Sequence, residues 1–455
     1  MKTNSIWLDT VKKPISYKQL DQDLNVDVLI IGGGITGMSI AYHLQNKGLH
    51  TALVERNKIG RGITSKTTGK IDYLQGLKYT KLKNEKTAHL YLKSQLEAIN
   101  ILKDIITKEK ISCDLEQTPS VLIAQTEKEE KQLQEEYIFL KKENIPVTNL
   151  SNREIKVENT FHFHPLKYLE GLKSKLTIPI YENTNILKVK RHNDYYLCYT
   201  NEHQIKAKIL VIACHYPFFL FPYLFPFKCY PEKSYIMAKK GVKQKENKIT
   251  ISHPTRSERT FKDYQLTLIG SHKTSDTFTI KENFAPLLNS NPDYIWSNED
   301  VMTFDSLPFI GHLKENLYIA TGYNTWGMTN ATLAGKIISD LILKKPNPYI
   351  ALFDPHRSNP IARITYLGKT GKEYLKAYVK PKTTKKLHYE DSKAIYNNNG
   401  EEIVVQKRCP HLGCPLIFNE VEQVWECPCH ASKFTKEGYW LKGPSKKDIT
   451  IAKTK

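Results

Sequence analysis

At 455 residues the chain is too long for one comfortable hydrophobic core, so two or three domains are expected. Its 40% apolar and 25% charged residues exclude a disordered chain. No run approaches the roughly 18 apolar residues of a membrane helix, and Met1–Gln22 lacks the apolar stretch of a signal peptide. The net charge of +20 excludes little by itself, because the lysines are scattered, often beside glutamate, with no arginine-rich block and no aromatic–basic interleaving. A solvated lysine-rich surface is expected first, docking of an acidic redox protein second and nucleic acid last. The chain reads as cytoplasmic.

In chain order, Val26–Ile31 is an apolar run long enough for a buried parallel strand. It enters Gly32-Gly33-Gly34-Ile35-Thr36-Gly37, a G-x-G-x-x-G pattern, and a helix with Met38, Ala41, Tyr42 and Leu44 on its apolar face. A second strand, Thr51–Val54, ends at Glu55. Gly32 is expected to allow the tight turn, Gly34 the close approach of a pyrophosphate, and Gly37 the close packing of helix on strand. The helix N-terminus offers free N–H groups to the phosphates. Glu55 would accept hydrogen bonds from ribose hydroxyls, which favours an unphosphorylated ribose. Glycines alone are weak evidence; with the flanking strand, helix and acid they predict a dinucleotide site.

Later segments resemble the glycine oxidase and D-amino-acid oxidase family of FAD-dependent oxidoreductases. Gly60–Lys70 is similar to that family's loop along the flavin pyrophosphate and contributes Thr64 and Ser65. Tyr181–Ile186 resembles the segment whose backbone touches the adenine, and Ile205–Ala213 the strand before a turn at the cofactor. Asp305–Gly311, with Thr321-Gly322-Tyr323 and Gly327-Met328-Thr329 opening a helix through Leu343, resembles the closing motif at the flavin pyrimidine ring. There a helix N-terminus would stabilise charge on the reduced flavin. The resemblance implies a non-covalently held FAD and cofactor contacts at Gly32, Gly33, Gly34, Gly37, Glu55, Thr64, Ser65, Ile186, Gly322, Gly327, Met328 and Thr329.

One departure bears on substrate. Amino-acid oxidases of this family clamp the substrate carboxylate with an arginine upstream of the Asp-Gly-Leu-Pro motif. Here that place falls within Ser297–Asp300 and is best matched by Asp300. A carboxylate facing Glu299 and Asp300 would be repelled unless another cation moved in. Arg256 and Arg259 are the nearest substitutes in sequence, with surface or structural roles as their alternative. Upstream of these, the proline-broken apolar stretch Pro217–Phe227 reads as a buried loop or lid, with a membrane-touching patch as its alternative.

Of eight cysteines, Cys113, Cys198, Cys214 and Cys229 are isolated and read as buried thiols, whereas Cys409, Cys414, Cys427 and Cys429 are clustered. A helical stretch, Pro360–Val379, and a polar segment, Lys380–Lys386, precede short strand patterns at Ala394–Asn397, Glu402–Lys407, Val424–Cys427, Tyr439–Lys442 and Asp448–Ala452. Asn399-Gly400 is a hairpin signal. The motifs Cys409-Pro410-His411 and Cys427-Pro428-Cys429-His430 suggest a metal centre. A tetrahedral zinc site is the alternative, though C-x-H is an unusual zinc spacing.

This C-terminal pattern closely resembles the Rieske [2Fe–2S] family. The resemblance implies that Cys409 and Cys427 hold one iron and His411 and His430 the other. It also implies a disulfide between Cys414 and Cys429 and a proline-bearing loop at Gly443-Pro444. The hydroxyl donor at Ser432 is kept, while the family's tyrosine position is Phe434 and its usual glycine is Ala431.

The expected fold is an α/β FAD-binding, Rossmann-like domain of glutathione-reductase type with an interleaved α+β substrate domain, followed by a small all-β Rieske domain. The boundaries are 1–345, a helical linker at 346–385, and 386–455. The expected activity is oxidation or reduction of a small substrate at FAD, coupled to one-electron transfer through the cluster. A redox relay or sensor without turnover is the rival, and an oxidase using O₂ a third reading.

Overall fold

Leu24–Ile31 becomes a buried strand because both faces of an apolar run can be covered in a parallel sheet. It pairs in parallel with Thr51–Val54 on one side and Gln204–Ile212 on the other. Leu29 thereby lies between Ala52 and Leu210. The sheet holds eight strands and continues to Ile180–Tyr181 at one edge. Leu317–Thr321 adds to the far half of Gln204–Ile212. Helices Ile35–Leu44 and Gly327–Ile342 pack together over this sheet, and their apolar faces fill one core. Coordinates are described for residues 1–12, 14–216, 228–241, 244–273, 285–357, 378, 383–398, 400–429, 432–445 and 447–451 of this computed structural model. The lid expected at Pro217–Phe227 therefore lies outside the described residues, as does the helix expected at Pro360–Val379 apart from Tyr378.

A second sheet, also of eight strands, stands where the substrate domain is expected, with Tyr294–Thr303 at its edge and Cys229–Lys240 next. Its strands come from 120–157 and 229–303, so the chain leaves the first sheet and returns to it, as expected of an interleaved domain.

The C-terminal region is all-β. Leu387–Glu390, Lys393–Asn398 and Glu401–Gln406 form one antiparallel sheet. Asn398 pairs with Glu401 at the end of this hairpin, and Gly400 between them has φ +101°. Ile417–Asn419, Val424–Glu426, Lys433–Phe434 and Trp440–Lys442 form a second sheet of four strands. The strand expected at Asp448–Ala452 does not form over the described residues 448–451. Ile449 instead donates to Gly438 and accepts from Gln406 as an irregular segment.

This region is packed against the substrate sheet. Tyr235, Met237 and Ile295 share one apolar cluster with Phe418, Trp425 and Phe434. No helix among the described residues is long and apolar enough to cross a membrane.

Candidate functional site

The glycine turn meets a cavity of about 580 Å³. Gly32 has φ +117°, and a Cβ there would lie 2.7 Å from the Ala213 carbonyl, so the turn requires glycine. A Cβ on Gly37 would lie 1.9 Å from the Gly32 carbonyl, which makes it the packing glycine. Gly34 is different. A Cβ there would meet only Thr64 Oγ1, at 3.3 Å, and Gly34 lines the cavity, so its missing side chain leaves room for something other than protein. That space is where a pyrophosphate fits, at the N-terminus of helix Ile35–Leu44.

Glu55 also lines the cavity. Its two carboxylate oxygens accept from the backbone N–H groups of Gly33 (2.7 Å) and Asn57 (2.9 Å), which hold it beside the turn. Thr64, Ile186, Gly322, Gly327 and Met328 line the same cavity. Three expected contacts do not: Gly37, which packs on the Gly32 carbonyl, Ser65 and Thr329. Ser65 turns its hydroxyl back onto the carbonyls of Gly62 and Arg61 and so closes its own loop. Thr329 is drawn into the core, donating to Gln95 Oε1 at 2.7 Å. Glu182, unassigned from sequence, organises the segment Tyr181–Ile186: its buried carboxylate accepts from Ile59, Tyr17 and Ser16 and pairs with Lys58 at 2.8 Å.

Neither candidate arginine reaches this cavity. Arg259 is buried and donates to the carbonyls of Thr68, Gly69 and Phe163. Arg256 pairs with Glu258 at 2.7 Å. Both roles are structural. Glu299 and Asp300 do line the cavity. Burial, with Glu232 beside it, pushes Asp300 up to about 7.

Of the isolated cysteines, Cys113, Cys198 and Cys229 are buried thiols, each pushed up to about 12 by burial. Cys214 is half-buried at the cavity wall.

At the other centre, hydrogen bonding draws the Cys409 thiol below its ordinary value. Cys427 contributes most; burial opposes it, and the His411 backbone N–H and the Ser432 and Ser445 hydroxyls add to it. Burial pushes His411 down to about 4, so its imidazole is neutral at pH 7, the form that ligates a metal. The Sγ atoms of Cys414 and Cys429 lie at bonding distance, with Cα atoms 6.4 Å apart. Cys414, Cys427 and Cys429 offer sulfurs within 4.8 Å of one another. Thiols, a neutral imidazole and hydroxyl donors suit an iron–sulfur centre. His430 and Ala431 lie outside the described residues. Phe434 is fully buried in the same apolar cluster as Cys409 and Cys427.

The C-terminal domain reaches this cavity. Glu422, Val424, Lys433 and the run Trp440–Gly443 line it together with the glycine turn. Trp440 also lies 4.5 Å from the Arg56 guanidinium, the residue after Glu55. Sequence reasoning missed this wall and the buried lysines behind it. Their signal was faint: Lys233 sits beside Glu232 in the twelve-residue strand Cys229–Lys240 and Lys433 in a strand of two residues, and Glu426 and Glu299 respectively are more than a hundred positions away.

This fold and this pair of sites define a dinucleotide-binding oxidoreductase joined to an iron–sulfur domain. The model of the FAD dependent oxidoreductase family matches residues 27–341, and the Rieske [2Fe-2S] domain model matches 373–453. The chain belongs to the FAD dependent oxidoreductase family, and it carries FAD and a [2Fe–2S] cluster as cofactors. YhfW of Bacillus subtilis, named for a Rieske 2Fe-2S iron-sulfur centre, is 29% identical over 97% of this chain and 96% of its own. The gamma-glutamylputrescine oxidoreductase of Escherichia coli is 23% identical over 75% of this chain and 89% of its own. The glycine oxidase structure from Geobacillus kaustophilus shares the fold, with a TM-score of 0.59 and 16% identity over 74% of this chain and all of the other.

Proposed function

We propose that this oxidoreductase is a dehydrogenase whose FAD-binding region (1–345) and Rieske domain (386–455), joined by 346–385, work as one electron-transfer unit. When bound, the flavin exchanges two electrons with a small substrate, and the cluster exchanges them singly with an outside carrier. One observation supports the coupling above all. The cavity at the glycine turn is lined in part by Trp440–Gly443 of the Rieske domain. A Cβ on Gly443 would lie 2.4 Å from Ser432 Cα, and Ser432 is among the groups that draw the Cys409 thiol down, so the cavity wall packs against the cluster loop.

In this reading Gly34 admits the pyrophosphate, Glu55 holds the ribose, and Gly322, Gly327 and Met328 border the flavin ring. Cys409 and Cys427 ligate one iron and His411 and His430 the other, and a Cys414–Cys429 disulfide ties the two cluster loops. The net charge of +20 favours an acidic protein as the carrier.

The test is an anaerobic screen of amines, amino acids and 2-hydroxy acids. Amines come first because a relative is named for gamma-glutamylputrescine and because no arginine stands at Glu299–Asp300 to clamp a carboxylate. A true substrate should bleach the flavin and then bring up the reduced-cluster EPR signal. Bleaching with peroxide formed at the turnover rate, and a cluster that never changes state, would sink the coupling.

A further inference from the structure

Glu299 stands in the stretch where the oxidase resemblance leads one to expect a substrate-binding arginine. Its carboxylate is 3% exposed, and the lysines that reach it come from the Rieske domain: Lys442 at 2.6 Å and Lys433 at 3.7 Å. Lys433, itself 4% exposed, also meets Glu422 at 2.5 Å and Glu426 at 2.9 Å. Lys233, on the neighbouring strand of the substrate sheet, crosses the boundary the other way to Glu426 at 2.5 Å. Ser297 gives its backbone N–H (3.0 Å) and its hydroxyl (2.7 Å) to Glu422.

Single charges at this depth would destabilise the folded chain, and removing one partner strands the other. Here opposite charges from both domains interleave. Burial alone would raise Glu299, yet Lys433, Lys442 and Lys233 hold it below the usual carboxylate range. Lys433 stands well above its ordinary value, because Glu299, Glu422 and Glu426 outweigh its burial. The adjoining apolar contacts between Tyr235 or Ile295 and the Rieske core would permit sliding; the ion pairs set a register. That register matters at one place, since Lys442 immediately precedes Gly443, the residue lying against Ser432.

We propose that Glu299 is a positioning residue rather than a substrate contact. With Lys233, Lys433, Lys442, Glu422 and Glu426 it locks the Rieske domain onto strands Cys229–Lys240 and Tyr294–Thr303 and holds Trp440–Gly443 as the cavity wall. The importance of this lock, though not its existence, rests on the coupled function proposed above.

The test uses holoprotein carrying Glu299→Gln, Lys442→Met or Glu299→Asp. Amide hydrogen exchange is followed over 229–240, 294–303 and 417–445, with FAD and iron assayed on the same samples. Exchange should rise at least tenfold in those segments for Glu299→Gln and Lys442→Met. Exchange in 24–54 should stay as in wild type, with both cofactors retained. Glu299→Asp keeps the charge and should bring exchange back towards wild type. If Glu299→Gln does not fold, Lys442→Met decides alone. Unchanged exchange overturns the lock, as does FAD loss from Glu299→Gln with the interface still protected. EPR-monitored transfer from photoreduced FAD to the cluster separates this from the function. Faster exchange with unaltered cluster reduction keeps the lock and removes the coupling.

Discussion

The two cofactor sites are built in opposite ways. The dinucleotide cradle is made of backbone: a turn at φ +117°, a helix N-terminus and a missing side chain at Gly34, with Glu55 held in place by main-chain N–H groups. The cluster site is made chiefly of side chains, with two thiols and two hydroxyls converging from separate loops of a small β domain. The first site is preformed by a large core that exists for other reasons. The second lies in a domain too small to hold its loops firmly without help, where a metal centre adds folding energy. A lost ligand should therefore damage the second domain's fold, whereas a lost contact in the cradle should cost only the cofactor.

The largest effect is expected from Cys427→Ser. Iron content should fall to background and the visible and EPR signals of the cluster disappear. Protease resistance of 386–455 should be lost while FAD remains bound. A protein that keeps a normal cluster would show that Cys427 is not a ligand. Next come two glycines that separate cofactor space from packing. Gly34→Val should fold with near-normal stability yet retain no FAD, because its side chain enters only the cavity. Gly37→Val should lower stability by ~1–3 kcal/mol or more in chemical denaturation, through the collision with the Gly32 carbonyl. Equal FAD content in wild type and Gly34→Val would break the contrast.

A smaller effect is expected at Asp300, which faces Asn298, Glu232, Glu299 and Lys442. Its carboxyl titrates near 7 folded and near 3.8 unfolded, so the folded state holds the proton more tightly. Ionisation therefore costs stability, a penalty absent below about pH 4, growing to pH 7 and full above it. Full burial would make it ~4 kcal/mol, and partial exposure brings it down to about 1–2 kcal/mol. Asp300→Asn should stabilise the protein by that amount at pH 8 and by nothing near pH 4. Thermal unfolding at both values checks the sign.

The smallest concerns Phe434→Tyr. A hydroxyl donated to a ligand sulfur favours the reduced cluster. For one electron a tenfold change in equilibrium is about 59 mV, and a rise of some tens of millivolts is expected. Protein-film voltammetry on wild type and variant gives the comparison. An unchanged potential with an intact spectrum would mean that the hydroxyl cannot reach the sulfur from this buried position.

What could be read from the amino-acid chain was local. Strand Thr51–Val54, the glycine turn, the helix behind it and the hairpin at Gly400 each follow from a pattern a few residues long, because backbone conformation and strand burial are decided over that range. The clustered Cys and His motifs were legible for the same reason. Strands Ile417–Asn419 and Lys433–Phe434 were missed because two or three residues carry no period. Side-chain direction escaped too. Ser65 and Thr329 sit in loops and helix starts placed as expected, but neighbours such as Gln95 offered better partners than the cavity. Arg259 looked available as a cation until three distant carbonyls claimed it. Above all, nothing local to Glu299 announces Lys442, 143 positions away, or that the second domain forms a wall of the first domain's cavity. Charge pairing across such separations depends on which surfaces the fold brings together and how far it removes them from water. Only the tertiary structure decides that.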